Sequence, residues 1–234
     1  MINPKFPVKF ITPLMKENGF TLSGKCFYLI KNDVAYCIEF ESPTDFVYVW
    51  FYIIPLYIPC EHRFLTFGNR FSSVPKFNLQ PLDRNFSGQE AALWCENLTT
   101  CITKYVFPFF ESISTPEKIL KFLKFPTPTK RAYFRCPDLF KLQLQTFSAL
   151  FLGKNKQAKT ALRKYTAAIK KCTFLQPAIL EKHLQEAIHI EKLCSCDPAE
   201  TKSFFQKNIQ STLQNCFQHK RKLDQSDDDP PIDK

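Results

Sequence analysis

Glycine is scarce in this chain, with five glycines in 234 residues. Phosphate-binding loops and the nucleophile turn of serine hydrolases need glycine at fixed positions, because the backbone there must turn sharply or approach a ligand closely. The sequence contains neither Gly-x-Ser-x-Gly nor a phosphate loop that ends in Gly-Lys-Ser or Gly-Lys-Thr. These two enzyme classes are therefore excluded, no catalytic residue is assigned, and a non-enzymatic role is favoured.

Long apolar runs are missing as well. The longest, residues 46–58, is interrupted by Pro55 and bounded by Pro59, and a membrane helix needs about 20 apolar residues. The first ten residues lack the apolar run of a signal peptide. We therefore expect a cytoplasmic protein without membrane association, whose ten scattered cysteines are reduced thiols rather than a disulfide scaffold.

Phenylalanine, in contrast, is abundant, with 25 residues. Rings at this frequency must largely be buried, which predicts a substantial core. Alternating and β-rich runs in the first half predict an antiparallel sheet of three to five strands, in which Asn32-Asp33 joins a hairpin. One face of the second hairpin strand is expected to be buried and the other more polar. The expected strands are residues 25–31, 34–41, 45–57, 62–67 and, as a return strand, 76–79.

Helical periodicity and capping signals predict the remaining elements. Ser87 to Glu90 and Asp197 to Glu200 are typical helix starts. The expected helices are residues 7–18, 87–110, 116–123, 137–152, 155–172, 177–193 and 198–222. The fold class is therefore α+β, an antiparallel sheet packed by helices and followed by an all-α helical bundle.

Charge is distributed unevenly along the chain. Residues 1–125 contain 13 Lys/Arg against 11 Asp/Glu, residues 126–223 contain 18 against 6, and residues 224–234 contain one against 5. This asymmetry predicts an α+β domain over 1–125, a basic helical domain over 126–223 and a disordered acidic tail over 224–234. The prolines at 126 and 128 mark the expected linker.

The first half carries a pattern of turn and core residues. It comprises Leu14, Gly19-Phe20, Gly24, Phe27, the strand Tyr36-x-Ile38-Glu39-Phe40-x-Ser42, the apolar strand 46–54 and Thr115-Pro116-Glu117. Over residues 8–125 this pattern resembles a bacterial family of domains of unknown function, number four-three-zero-four. The resemblance implies a mixed sheet-and-helix fold and no established activity, so no functional residue is transferred. The second half is loosely similar to helix-hairpin repeats, and a small helical bundle describes it better.

The strongest candidate site is a basic stripe on the helix predicted at 155–172. Lys156, Lys159, Arg163 and Lys170 lie opposite an apolar stripe, and only one acid occurs between residues 130 and 171. A face with charges of one sign favours an anionic partner, for which a phosphate backbone is the commonest source. The alternative is that this face is only solvated and binds no partner.

Other patterns are weaker. Cys194-x-Cys196 and Cys216-x-x-His219 offer zinc-type ligands, but a continuous helix would separate the two pairs by about 27 Å. The single pair Glu186 and His189 has the spacing of di-iron bundles without the other ligands these need. Aromatic residues on the sheet can stack nucleic-acid bases, although core packing explains them better. No metal or cofactor is expected.

Three functions remain open at this point. The leading hypothesis is a non-enzymatic, macromolecule-binding bacterial protein of accessory or immunity type with a protein partner. The alternative is a nucleic-acid-binding protein that uses the basic helical region. An uncharacterised hydrolase comes third, and a deep pocket with convergent polar side chains would favour it.

Overall fold

An antiparallel sheet precedes a set of helices, which confirms the α+β fold class. The computed structural model describes residues 1–61, 63, 67–124 and 128–218. Strands β1 to β5 are neighbours in chain order, and β6 pairs with the outer end of β4. The strands are β1 Thr21–Ser23, β2 Cys26–Lys31, β3 Val34–Glu41, β4 Phe46–Pro55, β5 Gly68–Arg70 and β6 Leu82–Asp83.

The hairpin between β2 and β3 forms as its turn residues predict. Asn32 and Asp33 both adopt left-handed backbone conformations, with φ of 52° and 62°, and Asn and Asp tolerate this region better than most residues. The Asn32 side-chain amide also donates to the carbonyl of Ser114 at 3.1 Å. The turn is therefore held against the segment that leads into the fourth helix.

The region after β4 differs from the sequence prediction. The return strand expected near 76–79 is wrong: two short 3₁₀ turns occupy Phe71–Ser73 and Pro75–Phe77, and the strand that returns to β4 is β6. Pro75 lacks the backbone donor that a strand ladder needs, and the Phe77 ring packs 5.6 Å from that of Phe51. The strand expected at 62–67 lies mostly outside the described residues.

The predicted helices are confirmed, and most of their ends lie within a few residues of the predicted ends. One short helix, α5, was not predicted, and two helices continue into π-helical turns at Ile102–Val106 and Gln214–Gln218. None of the helices in the described ranges is long and apolar enough to cross a membrane. The helices are α1 Phe6–Glu17, α2 Gly88–Cys101, α3 Phe107–Ser112, α4 Pro116–Lys124, α5 Pro128–Tyr133, α6 Asp138–Phe151, α7 Asn155–Lys171, α8 Pro177–Leu193 and α9 Pro198–Leu213.

Both faces of the sheet are buried around its centre, although Glu39 and Glu41, on the face of β3 expected to be more polar, are only partly buried. The face that carries Tyr36, Ile38 and Phe40 belongs to the main apolar core. On the opposite face Cys37 and Tyr52 are fully buried, in a second cluster that includes residues at the end of α9 and the π turn after it. The alternation in β3 could not reveal this cover, because the covering residues lie more than 170 positions later in the chain.

The helical region packs directly on the sheet region. The Tyr57 hydroxyl shares a hydrogen bond of 2.7 Å with Ser148 of α6, and its ring stacks on Phe151 at 4.6 Å. Asn208 and Thr212 of α9 donate to the carbonyls of Tyr57 and Ile58. One apolar cluster extends from Val8 to Phe205. Independent folding of the two predicted domains stays a prediction, and the predicted tail at 224–234 lies outside the described residues.

Candidate functional site

Helix α7 separates charge from apolar surface as its sequence pattern predicts. Ala158, Leu162, Tyr165 and Ile169 are buried, and they pack α7 against α6 and α8. Lys156, Lys159, Arg163 and Lys170 are all exposed, as are Lys154, Lys164 and Lys171. The helix itself carries no acidic residue.

The cations of α7 have few polar partners. Lys159 donates to the Ser195 hydroxyl at 3.3 Å. Within the part of the chain that the structure describes, no carboxylate forms an ion pair with Lys156, Arg163 or Lys170. The stripe therefore presents uncompensated positive charge to solvent, along a helix of 17 residues.

A second candidate site was not found from the sequence. It is a cavity of about 480 Å³ between the end of β4, the loop that follows it, and helices α6 and α8. Most of its lining is apolar, and Ile54, Ile58, Phe67, Phe140 and Leu175 contribute to it. Its size lies in the range of pockets that bind small molecules, which are typically apolar with a few placed polar groups.

Three polar side chains line this cavity: Gln143 of α6 and His183 of α8, which are buried, and Glu186 of α8, whose side chain is 14% exposed. The Tyr165 hydroxyl of α7 lies 2.6 Å from Nδ1 of His183, and Gln143 donates to Oε2 of Glu186 at 2.8 Å. Nδ1 of His183 is also 3.8 Å from that carboxylate oxygen. The network thus joins side chains from three helices.

Burial shifts the pKa of both His183 and Glu186 in the direction that favours the neutral form. Burial, followed by the positive charge of Lys182, lowers the pKa of His183 below its ordinary value. Burial raises the pKa of the Glu186 carboxyl, although the hydrogen bond from Gln143 and the charge of Lys182 oppose the rise. At the rim, Lys182 forms an ion pair of 2.7 Å with Glu61.

The histidine next to Glu186 is not His189, with which Glu186 has the spacing of di-iron bundles. His189 is exposed and its ring lies 4.9 Å from that of Phe204, whereas the partner of Glu186 is His183, three residues before it. Both His183 and His189 lie three residues from Glu186, so the sequence already contained the pair of His183 and Glu186. Only packing against α6 and α7 decides which histidine is buried.

The remaining metal and base-stacking patterns are not supported by the arrangement. Among residues 1–61, 63, 67–124 and 128–218, no three His, Cys, Asp or Glu side chains are placed to hold a metal ion, and His219 lies outside those ranges. All ten cysteines are free thiols. On the sheet, the Arg70 guanidinium covers the rings of Tyr48 and Trp50 at 4.7 and 4.4 Å, and Tyr36 and Tyr52 are buried.

No family model, curated protein or solved structure matches this chain. The resemblance of residues 8–125 to the bacterial domain family stays a prediction for that reason.

Proposed function

We propose that this protein is a non-enzymatic, macromolecule-binding protein whose partner is a nucleic acid that contacts helix α7. The observation that carries the proposal is the exposed stripe of Lys156, Lys159, Arg163 and Lys170, which has no ion-pair partner among the described residues. Nucleic-acid backbones bind such stripes because each neutralised phosphate releases condensed counterions.

The shape of the surface favours backbone contacts over base recognition. Lysine and arginine side chains on one helix face can follow a line of phosphates, and the aromatic residues of the sheet are engaged in internal contacts. We therefore expect little sequence preference. The proposal includes a cytoplasmic location, which ten unpaired thiols support, and a bacterial accessory role, for which the family resemblance is the support.

The test is a titration of labelled, mixed-sequence DNA and RNA oligonucleotides, followed by fluorescence anisotropy at several salt concentrations. The affinity of the parent protein should fall steeply with salt. Replacing Lys156, Lys159, Arg163 and Lys170 with Gln should weaken binding and reduce the salt slope by about 0.9 for each lost phosphate contact on duplex DNA.

The matched control removes the same charge elsewhere, by Lys5→Gln, Lys9→Gln, Lys16→Gln and Lys25→Gln. These four lysines are also exposed. The control should bind nearly as well as the parent, because only long-range attraction changes. If both variants lose affinity equally, net charge rather than α7 is responsible. If the parent binds no oligonucleotide and instead copurifies with one defined protein, the protein-partner hypothesis replaces this proposal.

A further inference from the structure

None of the residues that line the cavity between β4, α6 and α8 belongs to the basic stripe of α7. The wall of the cavity is mostly apolar, yet His183 and Glu186 line it with side chains that are only 10% and 14% exposed. Burying ionisable groups in apolar surroundings costs stability unless each is paired. A purely structural cavity of this size would be filled more favourably by apolar side chains.

Glu186 retains unused hydrogen-bonding capacity. Its Oε2 accepts from Gln143, whereas Oε1 has no hydrogen-bond partner among the described residues. Nδ1 of His183 shares its hydrogen bond with the Tyr165 hydroxyl, and it lies 3.8 Å from the Glu186 carboxylate, which is too far for a hydrogen bond.

The charge of the cavity is opposite to that of the protein. The chain has a formal net charge of +10, but Lys182 at the rim is neutralised by its ion pair with Glu61. The innermost ionisable groups are the imidazole of His183 and the carboxyl of Glu186, whose oxygens accept hydrogen bonds. An anionic ligand would meet no unpaired cation there, whereas a cationic donor would meet the carboxyl oxygens of Glu186.

We infer that this cavity binds a small primary amine with an apolar, ring-sized body, whose ammonium group donates to Glu186. The apolar body would contact Ile54, Phe140 and Leu175. Ile179 is 42% exposed at the edge of the cavity and provides the side from which a ligand enters.

A matched set of three probes tests the inference: tryptamine, its alcohol analogue tryptophol and the carboxylate indolepropionate. They share one ring system and differ in the head group. Binding is measured by calorimetry and by chemical-shift changes in two-dimensional NMR spectra of the full chain. Tryptamine should bind about 10- to 100-fold more tightly than tryptophol, because it forms a charge-assisted hydrogen bond to a buried carboxylate, and indolepropionate should bind most weakly.

Two variants locate the site. Glu186→Gln should bring the affinity for tryptamine down to that for tryptophol, whereas the control Glu191→Gln, an exposed acid on the same helix, should leave it unchanged. Ile179→Trp should weaken both probes by narrowing the entrance, and it gives a second readout if Glu186→Gln does not fold. Nucleic-acid binding should be unaffected in every variant, so that a failure of this inference is separate from a failure of the proposed function.

Three results would overturn the inference. The first is tryptophol binding as tightly as tryptamine to the parent. The second is Glu186→Gln keeping the preference for the amine. The third is the absence of tryptamine binding in the millimolar range, since an apolar cavity with an acceptor carboxyl should exceed that affinity even for a poorly fitted amine.

Discussion

Helices α7 and α8 use ionisable side chains in opposite ways, although they pack against each other. The cations of α7 stay in water, where they keep their hydration and cost little stability. His183 of α8 is buried and the Glu186 side chain is only 14% exposed, so that their charged forms are penalised. Surface charge therefore acts at a distance of up to about one Debye length, roughly 8 Å at physiological salt. Buried groups act only on a ligand that contacts them, and they can therefore discriminate between ligands with different head groups.

The largest effect should come from the side of α7 that faces away from solvent. Ile169 is 5% exposed and belongs to the main core. Replacing it with Ala should reduce the free energy of unfolding by about 2–5 kcal/mol, because a cavity replaces buried methyl groups. Lys170→Ala, at the next position, is the control and should change it by less than about 0.5 kcal/mol. Urea unfolding of both variants gives the comparison, and similar losses would contradict the assignment of the two faces.

The outer face of α7 could be predicted from the sequence, whereas the cavity could not. The stripe of α7 repeats within one helix, so its period alone separates buried from exposed positions. Likewise the turn at Asn32 and the cap at Ser87, where Glu90 completes a capping box, depend on residues at most three positions apart. Such local signals also placed most helix boundaries to within a few residues.

The buried network depends on contacts between distant positions. Gln143 and Glu186 are 43 residues apart, and Tyr165 and His183 are 18 apart on different helices. No period or motif connects them, since their meeting depends on how α6, α7 and α8 pack. For the same reason the cover on the second face of the sheet, supplied by residues near Cys216, could not be predicted.

Removing the buried carboxyl should stabilise the protein. Burial raises the pKa of Glu186, so the unfolded chain ionises first as pH rises, and the folded state loses stability between the ordinary value of 4.5 and the raised folded value. Glu186→Gln keeps an acceptor for Gln143 and avoids this loss. Its melting temperature should exceed that of the parent at neutral pH, and the difference should shrink as pH falls towards 4.5. A variant less stable than the parent at neutral pH would show that the carboxylate is favourably paired.

The buried imidazole should have the opposite pH dependence. Burial lowers the pKa of His183 below its ordinary value of 6.5, so the unfolded state binds the proton first as pH falls. The stability contribution of His183 is therefore complete above 6.5 and is lost as pH decreases towards its lower folded pKa. In His183→Gln this acid-induced loss should be absent. The slope of the free energy of unfolding against pH is measured below pH 6.5 for the parent and the variant. Equal slopes would mean that a group other than His183 titrates in this range.

The smallest effect should come from the exposed cations themselves. Replacing Lys156, Lys159, Arg163 and Lys170 with Gln should alter the free energy of unfolding by no more than about 0.5 kcal/mol per site, since exposed substitutions away from special features usually stay within that limit.

The sign of this small change in the free energy of unfolding is informative. The stripe contains only positive charges, so its members repel one another, and added salt should stabilise the parent slightly by screening them. The quadruple variant should lack that gain. Urea unfolding of both proteins at low and high salt measures it. A variant that loses stability by several kcal/mol would mean that these side chains hold the fold together, and the contrast between α7 and α8 would then be wrong.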